Sequence, residues 1–121
     1  MLSDFILSTT IKMERFHLYA GLGGGFGGAR YNQTIEAEDI EEAYEAAYEL
    51  AVEEYQSYEG LHGIMNWGDC YEDAVESGFI DEESMTEDEI HDYVDDMYQE
   101  EIESWIEYYA VKDEGQDPED Y

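Results

Sequence analysis

The strongest pattern along the chain lies between residues 38 and 58. Apolar side chains recur at Ile40, Ala43, Tyr44, Ala47, Tyr48, Ala51, Val52 and Tyr55. Steps of three and four residues predict one continuous helical stripe. Glu42, Glu45, Glu49 and Glu53 fall on the other face. Glu38 and Asp39 suit the positive end of the helix dipole, and Gly60 and Gly63 stop the helix. A short second helix is expected after Asn66, which has capping spacing to Asp69. Trp67, Cys70, Tyr71, Ala74 and Val75 form its apolar face, and Gly78 closes it. Thr86 with Glu89 is a capping box for a third helix. Its inner face carries Ile90, Tyr93, Val94, Met97 and Ile102, and its outer face Asp88, Asp92, Asp95, Asp96 and Glu100.

Strand signals flank the helices. Residues 16–20 are rich in strand formers, and six of the eleven glycines follow between Gly21 and Gly28. Residues 30–35 then place Tyr31 and Ile35 around polar positions, so strand, glycine loop and strand predict a hairpin. Residues 5–11 read as a further strand or a loose extension, with 1–12 peripheral. Residues 105–111 fit either the end of the third helix or a strand. A last strand pairing with the hairpin is favoured, because two strands alone are marginal. Residues 113–121 read as an acidic, flexible tail. The expected fold class is α+β: a small antiparallel β-sheet packed with two or three acidic helices, one domain over residues 1–112.

Charge changes this picture from ordinary to unusual. Four Lys and Arg stand against 34 Asp and Glu, a net charge of −30. Residues 1–35 are nearly neutral at +1, and residues 36–121 carry −31 with Lys112 as their one cation. An ordinary small domain carries a net charge of about 2–8 in magnitude. So many acids could signal disorder. The 43% hydrophobic residues, 15% aromatics and single proline argue instead for a folded chain with a small, ring-rich core. A globule of this mass exposes about 6,700 Å², or about one net charge per 220 Å². That is about half the surface charge density of duplex DNA. Acids gathered on one face would reach it.

The charge excludes several partners. Direct nucleic-acid binding through phosphates needs cations the chain lacks. An anionic membrane surface would repel it, and no apolar run has membrane-spanning length. The start of the chain has no basic flank or small-residue cleavage pattern, so no signal peptide and a cytoplasmic setting are expected. One cysteine, Cys70, excludes an internal disulfide and a thiolate cluster and reads as core.

Each chemical motif has a plainer explanation beside it. Gly23 to Gly28 matches GxGxxG, but the dinucleotide fingerprint needs a helix after the loop, and here a strand follows. A flexible hairpin loop explains it, with an exposed Phe26 inserting into a partner as a minority reading. The acids from Asp81 to Glu89 lack the spacing and central glycine of a calcium loop. His17, His62 and His91 are scattered, so no metal is expected. No nucleophile, base and orienter come together, so neither an enzyme nor a cofactor is expected. The tyrosines at 44, 48, 55 and 58 read mainly as core. What remains are the acidic rows. Glu42, Glu45, Glu49 and Glu53 recur about every 5–6 Å along a helix. Phosphates of one DNA strand step by about 3.4 Å. Self-repulsion makes so large a charge costly unless it has a use.

A small, tyrosine-rich chain with acid-studded helices resembles the DNA-mimic inhibitors that phages and plasmids encode, including antirestriction proteins, anti-CRISPR proteins and inhibitors of uracil-DNA glycosylase. The stretch from Tyr19 through the glycine run to Tyr31, the acidic helix to Tyr55 and Gly60-Leu61-His62-Gly63 also resemble small phage proteins. The likeness to DNA mimics is one of class and composition and transfers no binding residue. It implies a non-enzymatic inhibitor whose partner is a basic DNA-binding protein, a bacterial defence nuclease, blocked in its DNA channel. On the residues themselves, the partner-binding candidates are Glu42, Glu45, Glu49, Glu53, Asp88, Asp92, Asp95, Asp96 and Glu100. A homodimer would lengthen the acidic surface and would need an apolar seam. The alternatives are an adaptor or chaperone-like module for a basic, histone-like protein, and a phage structural or assembly protein.

Overall fold

A computed structural model describes residues 12–120, so the strand or extension expected at 5–11 lies outside the described residues. Strand β1 (Glu14–Leu22) and strand β2 (Gly28–Ala37) form the expected hairpin, each longer than the sequence pattern marks. Gly21 is required by close approach: a Cβ there would stand 2.3 Å from the Gly28 carbonyl oxygen. Gly28 itself has a φ of 82°, the left-handed region that glycine enters without strain. Strand β3 (Ile106–Lys112) pairs antiparallel with β1, so the sheet order is β2-β1-β3 and the fold is α+β. This settles residues 105–111: Trp105 ends the last helix and the strand starts at the next residue.

Helix α1 (Ile40–Ser57) begins at Asp39, whose side chain accepts from the Glu42 amide at 2.9 Å. Ala43, Ala47 and Ala51 are fully buried. They make a seam of small side chains, and the first two pack with Phe16, Leu18 and Ala110 of the sheet. Tyr55 continues the seam among Leu22, Ile64 and Ile102, and its hydroxyl donates to the Met65 carbonyl at 2.6 Å. Burial therefore leaves no orphan phenol. Two members of the expected stripe depart from it: Ile40 is 42% exposed and Tyr44 39%. They sit in the first two turns, near where β2 hands over to the helix.

Helix α2 (Trp67–Glu76) and helix α3 (Glu87–Trp105) both start with complete capping boxes, Asn66 with Asp69 and Thr86 with Glu89. Cys70, Ala74, Ile80 and Val94 form the core between them. Tyr93, expected on the inner face of α3, is exposed beside Phe79 instead. One residue from Val94 is a rotation of about 100°, which takes Tyr93 to the edge of the buried face.

The acidic segment after Lys112, expected as a flexible tail, makes defined contacts with the sheet through residue 118. The Asp113 amide donates to the Arg15 carbonyl at 2.8 Å, and Arg15 Nε donates to its carboxylate at 3.1 Å. Tyr19 donates through its hydroxyl to the Pro118 carbonyl at 2.5 Å. These contacts lie on the sheet side away from α1, because His17 and Tyr19 alternate with the α1-facing Phe16 and Leu18. No helix among the described residues is long and apolar enough to cross a membrane.

Candidate functional site

All nine acidic candidates are solvent-exposed. On α1 the buried seam Ala43–Ala47–Ala51–Tyr55 and the row Glu42, Glu45, Glu49, Glu53 lie about 180° apart at about 100° per residue. On α3 Val94 and Ile102 are buried, Asp92, Asp96 and Glu100 lie on the far side, and Asp88 and Asp95 lie at the flank, with Asp95 turned toward α2. Core packing thus fixes which way each row faces. Acids in the first turn of each helix suit its dipole, but neither helix has a basic residue in its last turn.

Among the described residues no Lys or Arg pairs with the rows. Arg15 pairs with Asp113 and Lys112 with Glu14, both at the sheet. Among the described residues, Asp95 alone of the nine is in an ion pair, with the imidazole of His91 at 3.1 Å. Its other oxygen accepts from the Trp67 indole at 2.8 Å. The accessible surface is 8180 Å², so the average is one net charge per about 270 Å². That is more dilute than the mass alone implies, and any likeness to DNA is local to the helices.

The two rows ride on separate helices that meet through side chains. Gln99 of α3 donates to the Tyr48 hydroxyl at 2.6 Å and to Glu103 at 3.0 Å. Tyr98 of α3 stands edge-on to Tyr55 and donates to Glu59. Burial and that carboxylate push the Tyr98 phenol up to about 12, so it stays a donor. Glu49 and Glu53 line an open groove of about 540 Å³ with Tyr48, Leu50, Val52 and Gln99. Exposed rings flank the rows. Tyr44 and Tyr48 both stand edge-on to Tyr108 of β3. Sequence periodicity assigned Tyr44 to the core, and only the position of β3 reveals this strip.

The remaining candidates resolve into structural parts. The glycine loop holds a short 3-10 turn and leads into β2, without the helix that phosphate binding needs. Phe26 packs against Tyr58, His62 and Trp105 and is not a free insertion point. Asp81 accepts from the Glu83 amide at 3.0 Å, and backbone amides hold its carboxyl below the usual range. Burial pushes the Cys70 thiol up to about 11, which makes it a poor nucleophile. His17 is buried with Nδ1 at 2.7 Å from Thr34 Oγ1, and its Nε2 lies 3.4 Å from the Asp113 carboxylate without a hydrogen bond. His91, Asp92 and Asp95 bring donor atoms within 4.8 Å of one another, all at exposed positions. Comparison of the chain with protein-family models, curated proteins and solved structures finds no match.

Proposed function

We propose that this protein is a non-enzymatic DNA mimic that occupies the DNA-binding channel of a bacterial defence nuclease, of anti-CRISPR or antirestriction type, in the host cytoplasm. The observation that carries the reading is the pair of exposed acid rows on α1 and α3, which no Lys or Arg among the described residues pairs with. From Glu42 to Glu53 the α1 row spans about 16 Å, a length over which one DNA strand places about five phosphates. The row supplies four carboxylates, and the α3 row supplies five over about 18 Å. Each helix therefore offers close to the linear charge of one strand. Arg and Lys that normally hold phosphates would pair with the carboxylates instead. Long-range attraction would speed encounter and make capture fall steeply with salt.

The test is capture from bacterial lysate on the immobilised protein, at low and moderate salt, with duplex DNA as competitor. The expected result is one DNA-binding nuclease or defence complex, released by the duplex and lost with the triple variant Glu45→Lys, Glu49→Lys, Glu53→Lys. A broad set of basic proteins that vanishes at moderate salt would replace mimicry with a merely solvated surface. Unchanged capture by the triple variant would remove α1 from the interface.

A further inference from the structure

Between α2 and α3 lies a second concavity, of about 310 Å³. That is the lower end of the range for ligand pockets and suits one side chain better than a larger molecule. Trp67 and Tyr71 stand one turn apart on α2 and form one wall. Their rings are stacked, 11° from parallel with centroids 6.0 Å apart, and the His91 ring is tilted 40° against Trp67 at 5.3 Å. The wall is also fixed in place. Trp67 donates through Nε1 to Asp95, and the Tyr71 hydroxyl donates to Glu82. That second bond keeps the phenol protonated, its pKa raised by the carboxylate beside it. Met85 and Ile90 supply apolar lining, Glu82 and Glu87 supply two carboxylates, and His91 adds an imidazole that is paired with Asp95. No Lys or Arg lines the space.

Negative ring faces together with two carboxylates select a cation with an apolar stem. The shape of the wall decides which cation. A quaternary ammonium is held by a cage of rings facing it from several sides. Here the near-parallel rings of Trp67 and Tyr71 offer flat faces on which a planar guanidinium can stack. Carboxylates can also accept its N–H groups in bidentate fashion. We propose that this pocket is a receptor for a single arginine side chain, stacked on Trp67 and Tyr71 and paired with Glu82 and Glu87. The source of that arginine, a basic partner protein, rests on the mimic reading, and the pocket shares Asp95 with the α3 row through the Trp67 bond.

The indole N–H resonance of Trp67, assigned with Trp67→Phe, would be followed by NMR while N-acetyl-arginine amide is added at constant ionic strength. N-acetyl-lysine amide, of equal charge, is the control for cations merely gathering around a −30 protein. A saturable shift with a millimolar midpoint is expected for the arginine probe. The lysine probe should bind several-fold more weakly, and Glu82→Gln should weaken the arginine probe by roughly tenfold. An unsaturable shift, equal midpoints for the two probes, or no effect of Glu82→Gln would overturn the proposal. The titration needs no partner. A silent pocket with lysate capture intact overturns this site and leaves mimicry standing, and a saturable pocket with no capture does the reverse.

Discussion

Glu45 is the position where stability and binding should move in opposite directions. It is exposed in the middle of the α1 row, with Glu41 four residues before it, Glu42 three before and Glu49 four after. Each like-charge helical pair costs a few tenths of a kcal/mol, and each opposite pair returns about 0.2–0.5 kcal/mol. Glu45→Lys converts all three repulsions into attractions, and Glu41 preceding Lys by four residues is the favourable order. Three pairs, each changing by about 0.4–1 kcal/mol, give about 1–3 kcal/mol of added stability at low salt. With a urea slope of roughly 2 kcal/mol/M, the unfolding midpoint should rise by about 0.5–1.5 M. Far-UV circular dichroism would follow it at about 0.02 M and at about 1 M sodium chloride. The Debye length falls to about 3 Å at 1 M salt, so most of the gain should vanish there. In the capture assay the same variant should bind its partner less well. An unchanged or lower midpoint at low salt would refute the reasoning. It would mean that the row is not repelling itself, for instance because something already neutralises it.

Three further outcomes follow from particular contacts. Tyr55→Phe removes the bond to the part-buried Met65 carbonyl, so urea denaturation should show a loss of about 1–3 kcal/mol. A loss below about 0.5 kcal/mol would mean that water reaches the carbonyl. Gly21→Ala would press a Cβ against backbone and should cost at least about 1–3 kcal/mol, while Gly25→Ala, with open space around it, should be within about 0.5 kcal/mol of neutral. Equal effects of the two would show that the hairpin yields freely. The Gly115 amide and Arg15 hold the Asp113 carboxyl below its usual range. Its stabilising effect is complete above the unfolded carboxylate value near 3.8 and is lost as pH falls through the lower folded value. Asp113→Asn should therefore lower Tm at pH 7 and make no difference near about pH 2; a gap that persists in acid would assign its role to packing.

Local chemistry was the most legible part of the sequence. Both capping boxes and the glycine hairpin are written in short-range side-chain and backbone requirements, and they occur where the spacing placed them. The outward acids were equally plain, because the apolar spacing of a helix fixes its opposite face. What needed the fold was whatever depends on a distant partner. Residues 105–111 suit helix and strand alike, and it is pairing with β1 that ends α3 at Trp105. His17 and Tyr19 alternate away from α1 yet are buried, because the C-terminal segment packs near them, and no periodicity announces that. Tyr44 lies within a clean apolar stripe and still faces solvent, because a helix can reach its sheet's rim before its pattern ends. The arginine-sized pocket was invisible for the same reason. Trp67 and Tyr71 read as core spacing, and Glu82 and Glu87 as one more acidic run.

The placement of charge also separates what holds the chain together from what the chain displays. The hairpin residues are nearly neutral, and Arg15, Arg30 and Lys112 all lie in strands. Core formation at the sheet therefore proceeds with little electrostatic opposition. The helices contribute alanine, aliphatic and ring faces inward and carry their acids where water screens them. Moving the same acids onto strands would set like charges directly opposite one another across a sheet, where they destabilise pairing. Moving lysines onto the helices would stabilise them, and none is there. A chain selected for stability alone would not leave those rows uncompensated. On the proposed reading the rows are a surface for a cationic partner, and the repulsion within each helix would be relieved when binding brings the missing positive charge.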